Sequence, residues 1–343
     1  EFSFFMQDVL AGYGFSESNC TFQPLGNGLI NTTWLVEREK KKYVLQKVNH
    51  HIFKSPEDIA FNIRSIAGHL TETSPGYLFV APLHTLNGED LVKTSEGYFR
   101  LFPFIENSHT IDVVEKPEQA YEAAKQFGRF TKLLSGFDAG KLKITLPDFH
   151  NLTLRYLQFE EALQNGDAGR IKESGSLIGF VKHHKQIVEE FELARTKFKI
   201  RCTHHDTKIS NVLFDDNNNG LCVIDLDTVM PGYFISDVGD MMRTYLSPVS
   251  EEEKDFSKIE VRQEFYDAIV DGYLSEMGDE LSETEKKYFH YAGKFMIYMQ
   301  AIRFLTDHLN NDIYYGAKYE GHNFVRTGNQ ATLLQRLMEI NPG

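Results

Sequence analysis

Apolar and polar positions alternate along the first hundred residues. FQPLGNG, NTTWLVERE and KKYVLQKVN are rich in β-branched and aromatic residues, with the charged REKKK turn between the second and third. This pattern predicts a glycine-rich turn followed by a β-hairpin. Ser55-Pro56-Glu57-Asp58 supplies an N-cap, a first-turn proline and two acids suited to a helix N-terminus, which opens a helix to about Leu70. Two further strands are expected around YLFVAPLHT and GYFRLFPFI. Beyond residue 105 the period changes. Apolar positions recur at three and four residues in EQAYEAAKQFGRFTKLL, LRYLQFEEAL and SLIGFVKHHKQIVEEFELA, which predicts packed amphipathic helices. They are interrupted by RCTHHDTKISNVLFDDNNNGLCVIDLDTVMPG, where two short β runs flank the turn DDNNNG. The expected layout is α+β: a small β-rich lobe over 1–105 and a larger, mainly helical lobe over 106–343.

Composition narrows the function classes. A chain of 343 residues with 41% hydrophobic and 25% charged residues is ordinary globular material with room for two lobes. The net charge of −13 is uneven: residues 1–105 hold 9 Lys+Arg against 11 Asp+Glu, so the larger lobe carries most of the acidity. Such a balance repels a phosphate backbone, and no nucleic-acid partner is expected. Cys20, Cys202 and Cys222 form no C-x-x-C pair and no even disulfide framework, so a reducing, cytoplasmic setting is expected. No apolar run approaches the roughly 20 residues of a membrane span, and no signal-peptide pattern opens the chain, so no membrane association is expected.

The chemistry concentrates in His204-His205-Asp206-Thr207-Lys208-Ile209-Ser210-Asn211 and, after one strand and turn, Ile224-Asp225-Leu226-Asp227. The order H-x-D-x-K-x-x-N followed by an acid at a strand end matches kinase-like phosphotransferases. There an Asp orients or deprotonates the attacking hydroxyl, an Asn and a second Asp hold Mg²⁺, and a Lys neutralises the transferring phosphoryl group. Oxygen ligands suit a hard cation, and phosphoryl transfer needs positioning and charge neutralisation more than covalent catalysis. Against this stands the plainer possibility that Asp206 is a turn residue and Lys208 a surface lysine. His183, His184 and His205 lack a Cys or second His at zinc-ligand spacing.

With LQKVNHHIF, HDTKISNVLFD, VIDLDTVMPG, SDVGDMMR, RFLTDHLNNDIYY and EGHN, the chain resembles the aminoglycoside phosphotransferase and choline kinase superfamily, and most closely its N-acetylhexosamine 1-kinases. The resemblance implies a protein-kinase-like two-lobed fold, with ATP and Mg²⁺ as cofactors and a small sugar as acceptor. It implies Asp206 as catalytic residue, Asn211 and Asp225 as magnesium ligands, Asp227 as an auxiliary acid and Asp237 as a brace for the loop. Gly26 and Gly28 would cover phosphate, Lys47 would bind it, and Pro103, Phe104 and Ile105 would lie beside adenine. Arg303 and Tyr314 would contact the sugar, although Arg303 at helical spacing from Asp307 also suits an ion pair.

Two departures from the family pattern stand out. Gln46 occupies the place where relatives often carry the base, and Gln46 and Lys47 face opposite ways on a strand. The following helix has no acid between Ile59 and Leu70 to pair with a lysine. The motif is not D-F-G and no A-P-E follows, which separates the chain from protein kinases. The expected reaction is phosphorylation of the anomeric hydroxyl of an N-acetylhexosamine. A kinase for a cationic acceptor such as an aminoglycoside or choline, a metal-dependent hydrolase and a binding-only pseudokinase are the alternatives.

Overall fold

The structure, a computed structural model, describes residues 4–26 and 30–340. The chain divides into two compact units. The first comprises Glu1–Ser108, Gly136–Pro147 and Ile224–Met230, and the second His109–Ser135, Asp148–Val223 and Pro231–Gly343.

In the first unit, α1 (Phe4–Gly12) precedes β1 (Cys20–Pro24), β2 (Thr32–Arg38) and β3 (Lys41–Val48), then α2 (Pro56–Thr73), β4 (Val92–Thr94) and β5 (Gly97–Pro103). The strands form one antiparallel sheet in the order β1-β2-β3-β5-β4. Glu39 and Lys40, both with positive φ, make the two-residue turn between β2 and β3, as a right-twisted hairpin requires. One sheet face buries Val36, Leu45, Phe99 and Leu101 against Met6, Val9, Leu10 and Tyr13 of α1 and its end. The expected strand at YLFVAPLHT does not form. That segment is extended but unladdered, with Leu83 N–H donating to Leu101 O at 2.7 Å, and Pro82 beside it has no N–H to continue a ladder. Two outlying segments join this unit through hydrogen bonds. Asn62 on α2 donates to Lys143 O (2.9 Å) and Val229 O (3.4 Å), and Thr145 Oγ1 donates to Asp227 O at 2.8 Å. The first unit therefore takes in chain well beyond a single cut at residue 105.

The second unit is helical apart from a few short strands. It contains α3 (Pro117–Leu133), α4 (Leu152–Asn165), α5 (Ala168–Glu173), α6 (Gly175–His183) and α7 (Gln186–Ala194). Next come β6 (Arg201–Thr203), β7 (Val212–Phe214), β8 (Gly220–Val223) and β9 (Met230–Gly232), where the chain re-enters this unit. α8 (Phe234–Tyr245), α9 (Gln263–Met277), α10 (Glu283–Lys286), α11 (Phe289–Leu309) and α12 (His322–Glu339) complete it. β7 and β8 pair around DDNNNG as expected. The core is organised on α11, which buries Ile297, Tyr298, Ala301, Ile302 and Leu305 completely. Gly239 lets α8 lie against it: a Cβ there would sit 2.4 Å from Ala292 O. Among the described residues no helix is long and apolar enough to cross a membrane.

Candidate active site

The polar loop between β6 and β7 is fastened by one face of α8. Asp237 accepts the backbone N–H of His205 (2.8 Å) and of His204 (3.1 Å), and Asp240, one turn on, accepts that of Thr207 (2.8 Å). Thr207 Oγ1 donates to Asp237 O at 2.8 Å, and the Tyr245 hydroxyl donates to Thr207 O. Burial pushes the Asp237 carboxyl up to about 7 against the pull of its two amide donors, and burial raises Asp240 as well. The i, i+3 acids of SDVGDMMR thus share one task. Asp237 was legible as a brace; Asp240 was missed, although its helical spacing was the signal.

His204 is fully buried, its ring edge-on to Phe127 (5.1 Å) and Phe130 (6.2 Å), and its Nδ1 accepts the Asp206 N–H at 3.2 Å. It holds backbone. His205 has φ +69°, and Gly232 lies so close to it that a Cβ would meet Nε2 at 2.4 Å. Between these supports Asp206 presents a carboxylate whose side chain is 23% exposed, with Lys208 Nζ 3.7 Å from Oδ2. Asn211 Nδ2 donates to Asp206 O at 2.9 Å, which leaves its Oδ1 as the side chain's other polar atom.

Within the same unit a run of rings leads from this loop to Arg303. His150 lies 5.2 Å from His205 and stacks on Phe149 at 4.3 Å, and the Arg303 guanidinium stands 5.6 Å from the Phe149 centroid. Arg303 and Arg155 line a cavity of about 420 Å³ with Gln158, Asp307, Tyr314 and Tyr315. Arg303 donates to the Tyr314 hydroxyl at 3.2 Å. The Arg303–Asp307 ion pair suggested by helical spacing does not form. Asp307 instead accepts the N–H groups of Tyr314 (2.8 Å) and Tyr315 (2.9 Å) and the Asn323 amide (3.2 Å). Burial, with Arg303 adding to it, brings the Arg155 guanidinium down to about 10. Burial also holds His150 well below the usual imidazole range, with His205 and Arg303 contributing.

The acidic segment Ile224–Met230 belongs to the first unit. Asp225 is exposed and held at φ +58°, a left-handed conformation that Asp tolerates better than most residues. Asp227 is 2% exposed. Arg100 NH1 lies 2.6 Å from Oδ1, and Arg100 NH2 (2.8 Å) and Asn31 Nδ2 (2.9 Å) both reach Oδ2. Oδ2 takes both hydrogen bonds, while Oδ1 has only the ion-pair contact to Arg100 and no hydrogen-bond partner, so Asp227 is anchored in the fold by its Oδ2.

The strand face explains a second difference. Gln46 pairs in register with Arg100, and Lys47 with Phe99, so Gln46 shares the face that meets Asp227. Its Oε1 accepts Arg100 Nε (3.1 Å) and NH2 (2.9 Å). Lys47 points to the α1 side, with Nζ 5.9 Å from the Phe99 centroid. Strand alternation therefore removes Lys47 from the face it was expected to occupy. Arg100 was missed; its signal was a lone charge in the apolar run GYFRLFPFI. Gly26 adopts φ +68° with nothing within 4 Å of a would-be Cβ, and Gly28 lies outside the described residues. Pro103 ends β5, Phe104 N–H donates to Lys42 O at 3.2 Å, and Ile105 O accepts Ser108 Oγ. The Asn211 amide oxygen in the second unit and the exposed Asp225 carboxylate in the first are each an oxygen donor of the kind a hard cation takes.

The sequence pattern of the phosphotransferase enzyme family, APH, matches residues 21–283. The chain belongs to this family. Among solved structures it is similar to an aminoglycoside phosphotransferase from Alicyclobacillus acidocaldarius, with 12% identity, a TM-score of 0.64, and 99% of this chain and 98% of that one covered. It is similar also to a microcompartment-associated aminopropanol kinase (15% identity, TM-score 0.63, 97% of each chain covered). A third is choline kinase from Cryptosporidium parvum Iowa II (16% identity, TM-score 0.56, 98% and 95% covered). This APH member therefore has the α+β, protein-kinase-like fold, with a small antiparallel-sheet lobe and a helical lobe.

Proposed function

We propose that this APH-family phosphotransferase moves the γ-phosphoryl group of ATP to the anomeric hydroxyl of an N-acetylhexosamine, giving a sugar 1-phosphate and ADP. Asp206 accepts the hydroxyl proton as the sugar oxygen bonds to phosphorus and the bond to the ADP oxygen breaks. Lys208 faces the developing charge on the phosphoryl oxygens. Asn211 and Asp225 are the residues that would hold Mg²⁺, which when bound neutralises and orients the nucleotide phosphates. Gly26, Gly28 and the backbone of Pro103, Phe104 and Ile105 are assigned to the nucleotide. The reading places the enzyme in the cytoplasm.

The observation that carries the acceptor class is the pair of guanidinium groups, Arg155 and Arg303, lining one cavity reached by rings from the Asp206 loop. Among the described residues neither makes a salt bridge. Guanidinium donors suit hydroxyl and acetamide oxygens, and two of them repel a cation. The second reading is a kinase for an amino alcohol or aminoglycoside, favoured by Glu161 and Asp307 on the same cavity and by the acceptors named for the similar structures. A coupled ADP-release assay with ATP and Mg²⁺, run over hexosamines, hexoses, amino alcohols and aminoglycosides, separates them. Turnover confined to N-acetylhexosamines is expected, and turnover with choline or an aminoglycoside alone overturns the sugar assignment.

A further inference from the structure

We propose that Arg100 on β5 is the positioning residue of the acidic segment: it grips Asp227 and thereby sets the turn that presents Asp225. The inference rests on the metal-dependent reading above and concerns a residue which that reading leaves unused.

Arg100 is only 3% exposed, and every one of its nitrogens has a partner in one polar cluster. NH2 donates to Asp227 Oδ2 and NH1 stands at ion-pair distance, 2.6 Å, from Oδ1, while Nε and NH2 donate to Gln46 Oε1, whose amide in turn donates to Thr33 Oγ1 at 3.3 Å. Burial pulls the guanidinium pKa down, but the charge and hydrogen bonds of Asp227 outweigh it and the net shift is upward. A planar fork fixes the plane and direction of a carboxylate, which a point charge on a flexible stem does not. Asp227 is two residues from Asp225, and the intervening Leu226 is buried. The segment is further tied by Thr145 to Asp227 O and by Asn62 to Val229 O. Arg100 supplies the charged grip on this side of the turn, and the left-handed Asp225 lies two residues before the Asp227 it holds.

The same cluster accounts for both departures from the family pattern. The strand position facing Asp227 holds an amide, Gln46, so no lysine there calls for an acid on α2. Arg100 and Asp227 balance each other in charge. Buried ion pairs seldom raise stability over well-packed apolar residues of similar volume, so glue alone is a weak reason for this one. Fixed geometry is the stronger reason.

The test separates positioning from stability. Removing one partner leaves a buried charge, so the double variant Arg100→Met/Asp227→Leu is used, with Arg100→Lys beside it, which keeps the charge and loses the fork. Isothermal titration gives the affinity for ADP with Mg²⁺ and for ADP in EDTA, and thermal melting reports the fold. Both variants should melt near the wild type and bind metal-free ADP as it does. The gain in affinity from Mg²⁺ should fall about tenfold or more in the double variant and in part in Arg100→Lys, the scale of lost outer-shell support at metal sites. In turnover, kcat should fall while the acceptor KM holds. A wild-type Mg²⁺ gain in either folded variant overturns the inference. A wild-type protein whose ADP affinity ignores Mg²⁺ overturns the metal-dependent reading itself, and this one with it.

Discussion

At the residue scale, the proposed reaction gives Asp206 and Arg303 separable duties. Asp206→Asn keeps the shape of the loop, because the ties to His204, Asn211, Asp237 and Asp240 run through backbone or through other side chains. It should lower kcat by about two orders of magnitude or more while the protein melts normally. Near-normal turnover would remove Asp206 from the chemistry. Arg303→Ala should raise the KM for the N-acetylhexosamine about tenfold, since a charge-assisted hydrogen bond is worth about 1.5–3 kcal/mol, and leave the KM for ATP unmoved. Asp307 is already satisfied by Tyr314, Tyr315 and Asn323, so little stability should be lost. A normal sugar KM with a lowered Tm would show Arg303 to be structural.

At the element scale, α8 converts core packing into loop geometry. Its buried acids hold the loop, and Gly239 on the same helix admits Ala292 O of α11. A Cβ at 239 would stand 2.4 Å from that oxygen and 2.9 Å from Met296 Cβ, so Gly239→Ala must push the helices apart. Overpacking of this kind costs about 1–3 kcal/mol. A lower Tm should come with a lower kcat at unchanged substrate KM, because Asp237 and Asp240 travel with the helix. A full kcat in a destabilised variant would show that the loop is held independently of α8.

At the scale of the whole molecule, the buried Asp237 ties stability to pH. Its folded pKa of about 7 lies above that of an unfolded carboxyl, so between roughly pH 4 and 7 the folded state binds more protons than the unfolded one. Its contribution is fully present below that window and is lost as pH rises through about 7. Glu252 and Asp312, lowered by their hydrogen-bonded partners despite burial, act in the opposite sense at lower pH. Melting curves from pH 5 to 8 should therefore differ in slope between wild type and Asp237→Asn, the variant losing the part of the slope that falls with pH, while the lowered His150, His290 and His308 act in the opposite sense in both proteins. An unchanged slope in the variant would assign the effect to another group.

Local pattern alone determined a good deal here. The β2–β3 hairpin, α2, α3, α4 and the β7–β8 pair follow from alternation, first-turn residues and helical period, because these are properties of neighbours along the chain, although Ser55 before α2 makes no side-chain cap bond. The order of Asp206, Asn211 and Asp225 was legible for the same reason. Tertiary structure decided what depends on residues far apart in sequence. YLFVAPLHT is rich in strand formers but joins no ladder, with Leu83 N–H bonding Leu101 O outside any strand pairing. Lys47 lost its expected place to Gln46 because the register with β5 sets Gln46 opposite Arg100. Asp227 became an anchor because Arg100, 127 residues away, reaches it in a site where an unpaired charge would be costly. Helical spacing put Arg303 and Asp307 within reach of each other, yet the turn after α11 offered Asp307 two backbone amides. Spacing specifies which partners a side chain can reach locally; burial and long-range register select the one it takes.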